Sequence, residues 1–79
     1  MAYSFKDLEL SRRRVTEDRN RIAAQEAHIA GISLRGEPSS LATEQLVDFN
    51  QQLRAHTFEC DLIAAALRAD RAHLEDLAE

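Results

Sequence analysis

Few side chains in this 79-residue chain have chemistry to offer. His56 and Cys60 stand four apart, which on a helix puts an imidazole and a thiol on one face. That spacing suits two ligands of one metal ion. A zinc site needs further ligands, and the sequence holds no Cys-x-x-Cys and no second close His/Cys pair to supply them. Di-iron bundles use Glu together with Glu-x-x-His on facing helices. Gln25-x-x-His28 and Asp70-x-x-His73 keep that spacing but lack the glutamate. There is no phosphate-binding glycine loop, no nucleophile elbow and no His-Glu-x-x-His. The expectation is therefore no catalysis, no metal site and no cofactor. Cys60 reads as a core thiol and His56 as a seam histidine, lying near Arg19 and able to make stability sensitive to pH.

The one basic cluster is Arg12-Arg13-Arg14 with Arg19 and Arg21. Three consecutive arginines on a helix spread over different faces, and Glu9, Glu17 and Asp18 interleave with them. Binding driven by phosphate neutralisation calls for a concentrated basic patch on one face. These five arginines define an alternative reading, a small nucleic-acid-associated regulatory protein. The plainer reading is a solvated helix face, or pairing with an acidic neighbour.

The elements that carry these residues follow from composition and period. Alanine, leucine, glutamate, arginine and glutamine dominate, with two glycines and one proline, so the chain has little material for repeated β-turns. The class is all-α, in one domain spanning residues 1–79. Ser4 and Asp7 form a capping-box pair, and Tyr3 with Leu8 sits at hydrophobic-staple spacing. From there Leu8, Val15, Ile22 and Ile29 recur every seven residues. This predicts a first helix over about 4–34 with one firm apolar column, widened by Ala23, Ala27 and Ala30. Gly36 can take the left-handed position that ends a helix, and Pro38 prevents its continuation. Gly31 is a competing stop. The turn is placed at 35–40, with Ser39 or Ser40 as the next cap.

A second helix over about 41–77 carries Leu46, Leu53, Cys60, Leu67 and Leu74, accompanied three residues on by Phe49, His56, Ile63, Asp70 and Leu77. That alternation of threes and fours reads as a coiled-coil-like seam. Val47, Phe58, Leu62, Ala65 and Ala69 add a second stripe. In an antiparallel hairpin, facing residues have position numbers of constant sum. Ile29 with Leu46, Ile22 with Leu53, Val15 with Cys60 and Leu8 with Leu67 all add to 75, a sum centred on the separately placed turn. Charge agrees with this pairing: residues 1–36 carry seven Lys/Arg against five Asp/Glu, and residues 37–79 carry three against nine.

The runs RRVTEDRNRIAAQEAHIAGISLRGEP (13–38) and LATEQLVDFNQQLRAHTFECDLI (41–63) resemble a group of short bacterial helical-hairpin proteins of unknown function. The matching positions are Arg19, Ile22, Ala23, Gln25, Ile29, Gly36, Leu46, Phe49, Leu53 and His56. Val47 and Asn50 depart from the group's Leu or Thr. The resemblance implies a hairpin fold and a bacterial source, and no activity.

Two helices alone bury little, and helix 2 is the more apolar of the pair. The expectation is an antiparallel two-helix hairpin that dimerises into a four-helix bundle, a non-enzymatic oligomerisation or protein-interaction module. Its interaction face would comprise Phe49, Leu53, Phe58, Leu62, Ile63 and Leu67. The expected partner is a second copy, with an unidentified protein as the other possibility; nucleic acid is not favoured and no membrane is involved. A lone cysteine and the absence of a signal or membrane-spanning segment point to the cytoplasm.

Overall fold

The computed structural model describes residues 3–77, with side chains as far as His73. Leu74 and Leu77, expected in the seam of the second helix, lie beyond the described side chains. Two helices, α1 (Phe5–Leu34) and α2 (Ser40–Leu77), account for nearly all of the described residues, which include no strand.

Local chemistry sets the ends of α1. Ser4 is extended (φ −122°, ψ 167°); its hydroxyl accepts from the Asp7 N–H at 3.2 Å, and the Asp7 carboxylate accepts from the Ser4 N–H at 2.9 Å. Two N–H groups that the helix cannot satisfy are thereby paired. Tyr3 packs against the cluster that contains Leu8, so the chain enters the helix at a set angle. At the other end the Gly36 N–H bonds Ser33 O at 3.0 Å, and the Glu37 N–H bonds Ile32 O at 3.1 Å. This is the Schellman pattern, and it requires the left-handed φ of +72° that Gly36 adopts. Arg35 is the C-cap, and its Nε pairs with Glu37 Oε1 at 3.2 Å. Gly31 stays helical, so the competing stop is not used. Ser39 precedes α2, and its carbonyl accepts from both the N–H and the hydroxyl of Thr43.

The helices, 30 and 38 residues long, lie side by side in a rod of 67 × 14 × 14 Å. A single continuous helix of this chain would be about 115 Å long. Leu8, near the start of α1, clusters with Ile63 and Leu67 late in α2, while Gln25 near the end of α1 donates to Ala42 O at the start of α2. The packing is therefore antiparallel. Leu8 and Leu67 share one cluster, with Cys60 and Ala64 packed against it.

The seam on α1 is wider than one apolar column. Leu8, Ser11, Val15, Asp18, Ile22 and Ile32 are buried, and Gln25 and Ile29 are half-buried, which is a full three–four alternation. Every second member of that series, apart from Ile32, is polar. Ala23, Ala27 and Ala30, expected to widen the apolar face, are instead exposed. At 100° per residue they lie about 110–170° around α1 from the centre of the seam, on the side that turns away from α2.

Two glycines test this account of the chain reversal. Gly36→Ala places an L-residue at positive φ, with nothing within 4 Å to clash, so it should lower stability by about 1 kcal/mol through backbone strain alone. Gly31→Ala meets only an ordinary 3.5 Å contact with the Arg35 guanidinium and should raise stability by up to about 1 kcal/mol. Urea titration of both variants at one protein concentration checks the opposite signs. Equal effects would mean that the turn does not end at Gly36.

Candidate functional site

The most unusual grouping in the molecule is polar and sits within the seam. His56 Nδ1 and Asp18 Oδ2 are hydrogen-bonded directly between the helices. The Asp18 side chain is 5% exposed and the His56 side chain 32%, so the carboxylate is inside and the ring reaches from the seam toward water. The expected neighbour of His56 was Arg19. That residue is exposed, because the 11/18/25/32 column, one position over, is the one that turns inward. A carboxylate therefore faces the ring where a cation was expected.

One heptad along α1 in either direction are two more polar seam residues. Ser11 is 1% exposed and its hydroxyl has no partner. Gln25 Nε2 donates to Ala42 O at 2.8 Å and to Gln45 Oε1 at 3.2 Å, tying α1 to the first turn of α2. Ser11, Asp18 and Gln25 were not singled out from sequence as buried, since each is of a type that normally faces water. The signal was present in their spacing from the Leu8/Val15/Ile22 column.

The His56–Cys60 pair does not converge on anything. The ring of His56 is engaged by Asp18, while Cys60 is a half-buried free thiol packed beside Leu8, Ile63 and Leu67. Among the described residues no group of three or more His, Cys, Asp or Glu side chains comes together. One surface depression, about 320 Å³, is an open groove lined by Tyr3, Asp7, Leu10, Arg14, Glu59 and Ile63. Part of its wall is the Arg14–Glu59 ion pair between the helices, 3.4 Å long and about half exposed.

The five arginines do not form one surface. Arg14 turns to Glu59, and Arg13 lies 3.9 Å from Glu9 on its own helix. Arg21 donates to Gln52 at 3.2 Å, with its guanidinium 5.4 Å from the Phe49 ring centroid. Arg12 and Arg19 are exposed. The predicted interaction face divides as well. Ile63 and Leu67, 2% and 5% exposed, are buried by α1 within the same chain, so they are core of the hairpin rather than open surface. Phe49 and Leu53 are half-buried. Phe58 at 71% and Leu62 at 47% stand in solvent, with Val47 at 52%. No helix among the described residues is long and apolar enough to cross a membrane.

A buried carboxylate with one strong partner should be costly to orphan. Asp18→Ala and His56→Ala should each destabilise the chain by about 1–3 kcal/mol, and the double variant by clearly less than the sum of the two. A double-mutant cycle in urea measures the coupling, and a value within error of zero would mean the contact contributes nothing. No family model matches this chain, and neither a curated protein nor a solved structure matches it.

Proposed function

We propose that this chain is a non-enzymatic helical interaction module of the cytoplasm that assembles with a second copy of itself, two helices from each chain forming a four-helix unit. The observation that carries this reading is the contrast between the two sides of α2. One side buries Ile63 and Leu67 against α1; the other leaves Phe58, Leu62 and Val47 in water. Large apolar side chains in such number on one helix of a small fold are unfavourable as free surface, and burying a phenylalanine and a leucine stabilises an interface by about 1.5–3 kcal/mol each. The intrachain core is thin, since a pair of helices meets along one line and a domain of this size has little else to bury. A second copy would supply the missing cover.

The polar residues of the α1 seam support the same reading. A buried Asp–His pair contributes less to stability than leucines would, but it matches only one alignment of the two helices. Such a hairpin is an alignment device with an apolar side left over, which suits assembly. Sedimentation equilibrium of the full chain at 1–100 µM should give the mass of two chains; a folded single chain throughout that range would overturn the proposal. Concentration-dependent melting should accompany the dimer.

A further inference from the structure

The exposed side of α2 has an order that the count of its apolar residues does not convey. Ala55, Phe58, Leu62, Ala65, Ala69 and Ala72 are all exposed, and they are separated alternately by three and four residues. This is a second seam on the same helix. At 100° per residue its centre lies about 160° around α2 from the seam that faces α1. It runs for about 25 Å and is apolar at every position, whereas the same side nearer the turn carries Glu44, Asp48 and Gln51.

We infer that this seam is the docking surface for the α2 helix of a second copy, packed antiparallel about a two-fold axis that passes between residues 63 and 64. The inference rests on the proposed self-association and adds its face, orientation and register. Side-chain size is the first argument. The larger residues, Phe58 and Leu62, occupy one half of the stripe, and three alanines occupy the other. Any two stripes of period seven can be laid against each other in several registers, so a constant spacing proves nothing. What distinguishes this register is that each large side chain meets a small one: Phe58 opposite Ala69, Leu62 opposite Ala65, and Ala55 opposite Ala72. Packing at native density favours large against small. A parallel pair in register would set Phe58 on Phe58 and Leu62 on Leu62, with alanine opposite alanine at the other rungs.

Charge is the second argument, and it is independent of the first. The column flanking the stripe carries Arg54, Asp61 and Arg68, all exposed. Side chains on a helix lean toward its N-terminus, so in an antiparallel pair their tips meet slightly beyond the seam rungs. In the inferred register Asp61 of each copy meets Arg68 of the other, giving two symmetric ion pairs. Sliding one copy a heptad in one direction sets Asp61 against Asp61 and Arg54 against Arg68. Sliding it the other way sets Arg68 against Arg68. Of these three registers, the inferred one alone combines opposite charges with large-to-small packing.

The assembly has a shape of its own. Because the two seams of α2 are nearly opposite, the four helices would lie in a shallow layer, with the α2 helices inside and each α1 outside, rather than at the corners of a square.

The test uses the full-length chain and sedimentation equilibrium. Asp61→Arg alone replaces two attractive pairs by Arg–Arg contacts, and Arg68→Asp alone makes them Asp–Asp. Each should weaken the dimer about tenfold, and the double exchange should restore it. Leu62→Glu should leave a helical single chain, with the dimer weakened by about a hundredfold or more. Circular dichroism confirms that each variant is folded. A dimer indifferent to Leu62→Glu, or single exchanges that the double does not rescue, would overturn this face and register while leaving self-association standing. A wild-type chain that never dimerises would remove both. If the variants prove hard to fold, spin labels on Ala72→Cys in a Cys60→Ser chain give a separate reading. The antiparallel register places them about 25 Å or more apart, and labels within about 15 Å would show parallel packing.

Discussion

A pair of helices touches along one line, and nearly everything in this molecule depends on how that line is filled. Each residue on it has one neighbour helix and open water to either side. Apolar side chains alone would hold the helices together yet leave sliding by a heptad inexpensive, since one leucine rung resembles the next. Here α1 alternates apolar residues with Ser11, Asp18 and Gln25, and the cross-helix partners of Asp18 and Gln25 are met in one alignment only. Asp18 reaches His56, Gln25 reaches Ala42 and Gln45, and Leu8 enters the cluster of Ile63 and Leu67. Sliding the helices by a turn would leave the buried carboxylate and the half-buried amide without these partners, a cost that is a sizeable fraction of the margin of a small fold.

This arrangement has a consequence for the outer surface. With seam positions of α1 given to polar residues, the hairpin holds less apolar area between its helices than its sequence could provide. Part of the remainder sits on α2, pointing away from α1, in an unbroken run from Ala55 to Ala72. The helix is thus two-sided, one seam serving the chain itself and the other open. Alanine is suited to such an open seam. It adds little exposed apolar surface to an isolated chain, and it allows close approach of another helix, while Phe58 and Leu62 supply most of the area. On α1, Arg14 and Arg21 are drawn into the hairpin through Glu59, Gln52 and Phe49.

Much of the fold could be read directly from residue types. Ser4 with Asp7, and Gly36 before Pro38, are short-range signals whose meaning depends on a few neighbouring backbone groups, and the structure uses both for helix ends. The rung of Leu8 and Leu67 could be read from period and turn position together. The candidate site was harder to see. His56 was recognised as a seam residue but matched to Arg19, and Asp18 was read as one of the acids diluting a basic face. Type pointed outward while spacing pointed inward, and for a residue paired in the core, spacing is the better guide. Ala23, Ala27 and Ala30 went astray in the opposite sense, because alanine is at home on either side of a helix and its presence says little about burial.

Residue types and their order suffice to specify two helices and their ends, since helix propensity, capping and the left-handed demand at Gly36 act over a few residues. They also specify the two seven-residue periods of α2. The period that faces α1 was legible too, because the Leu8–Leu67 rung follows from period and turn position. Which polar side chains of α1 enter that seam was not, because it depends on partners tens of residues away, above all on an aspartate that is tolerable inside because a histidine on the other helix meets it. Ile63 and Leu67, expected on an interaction face, are core within the one chain, while Phe58 and Leu62 stay at the surface.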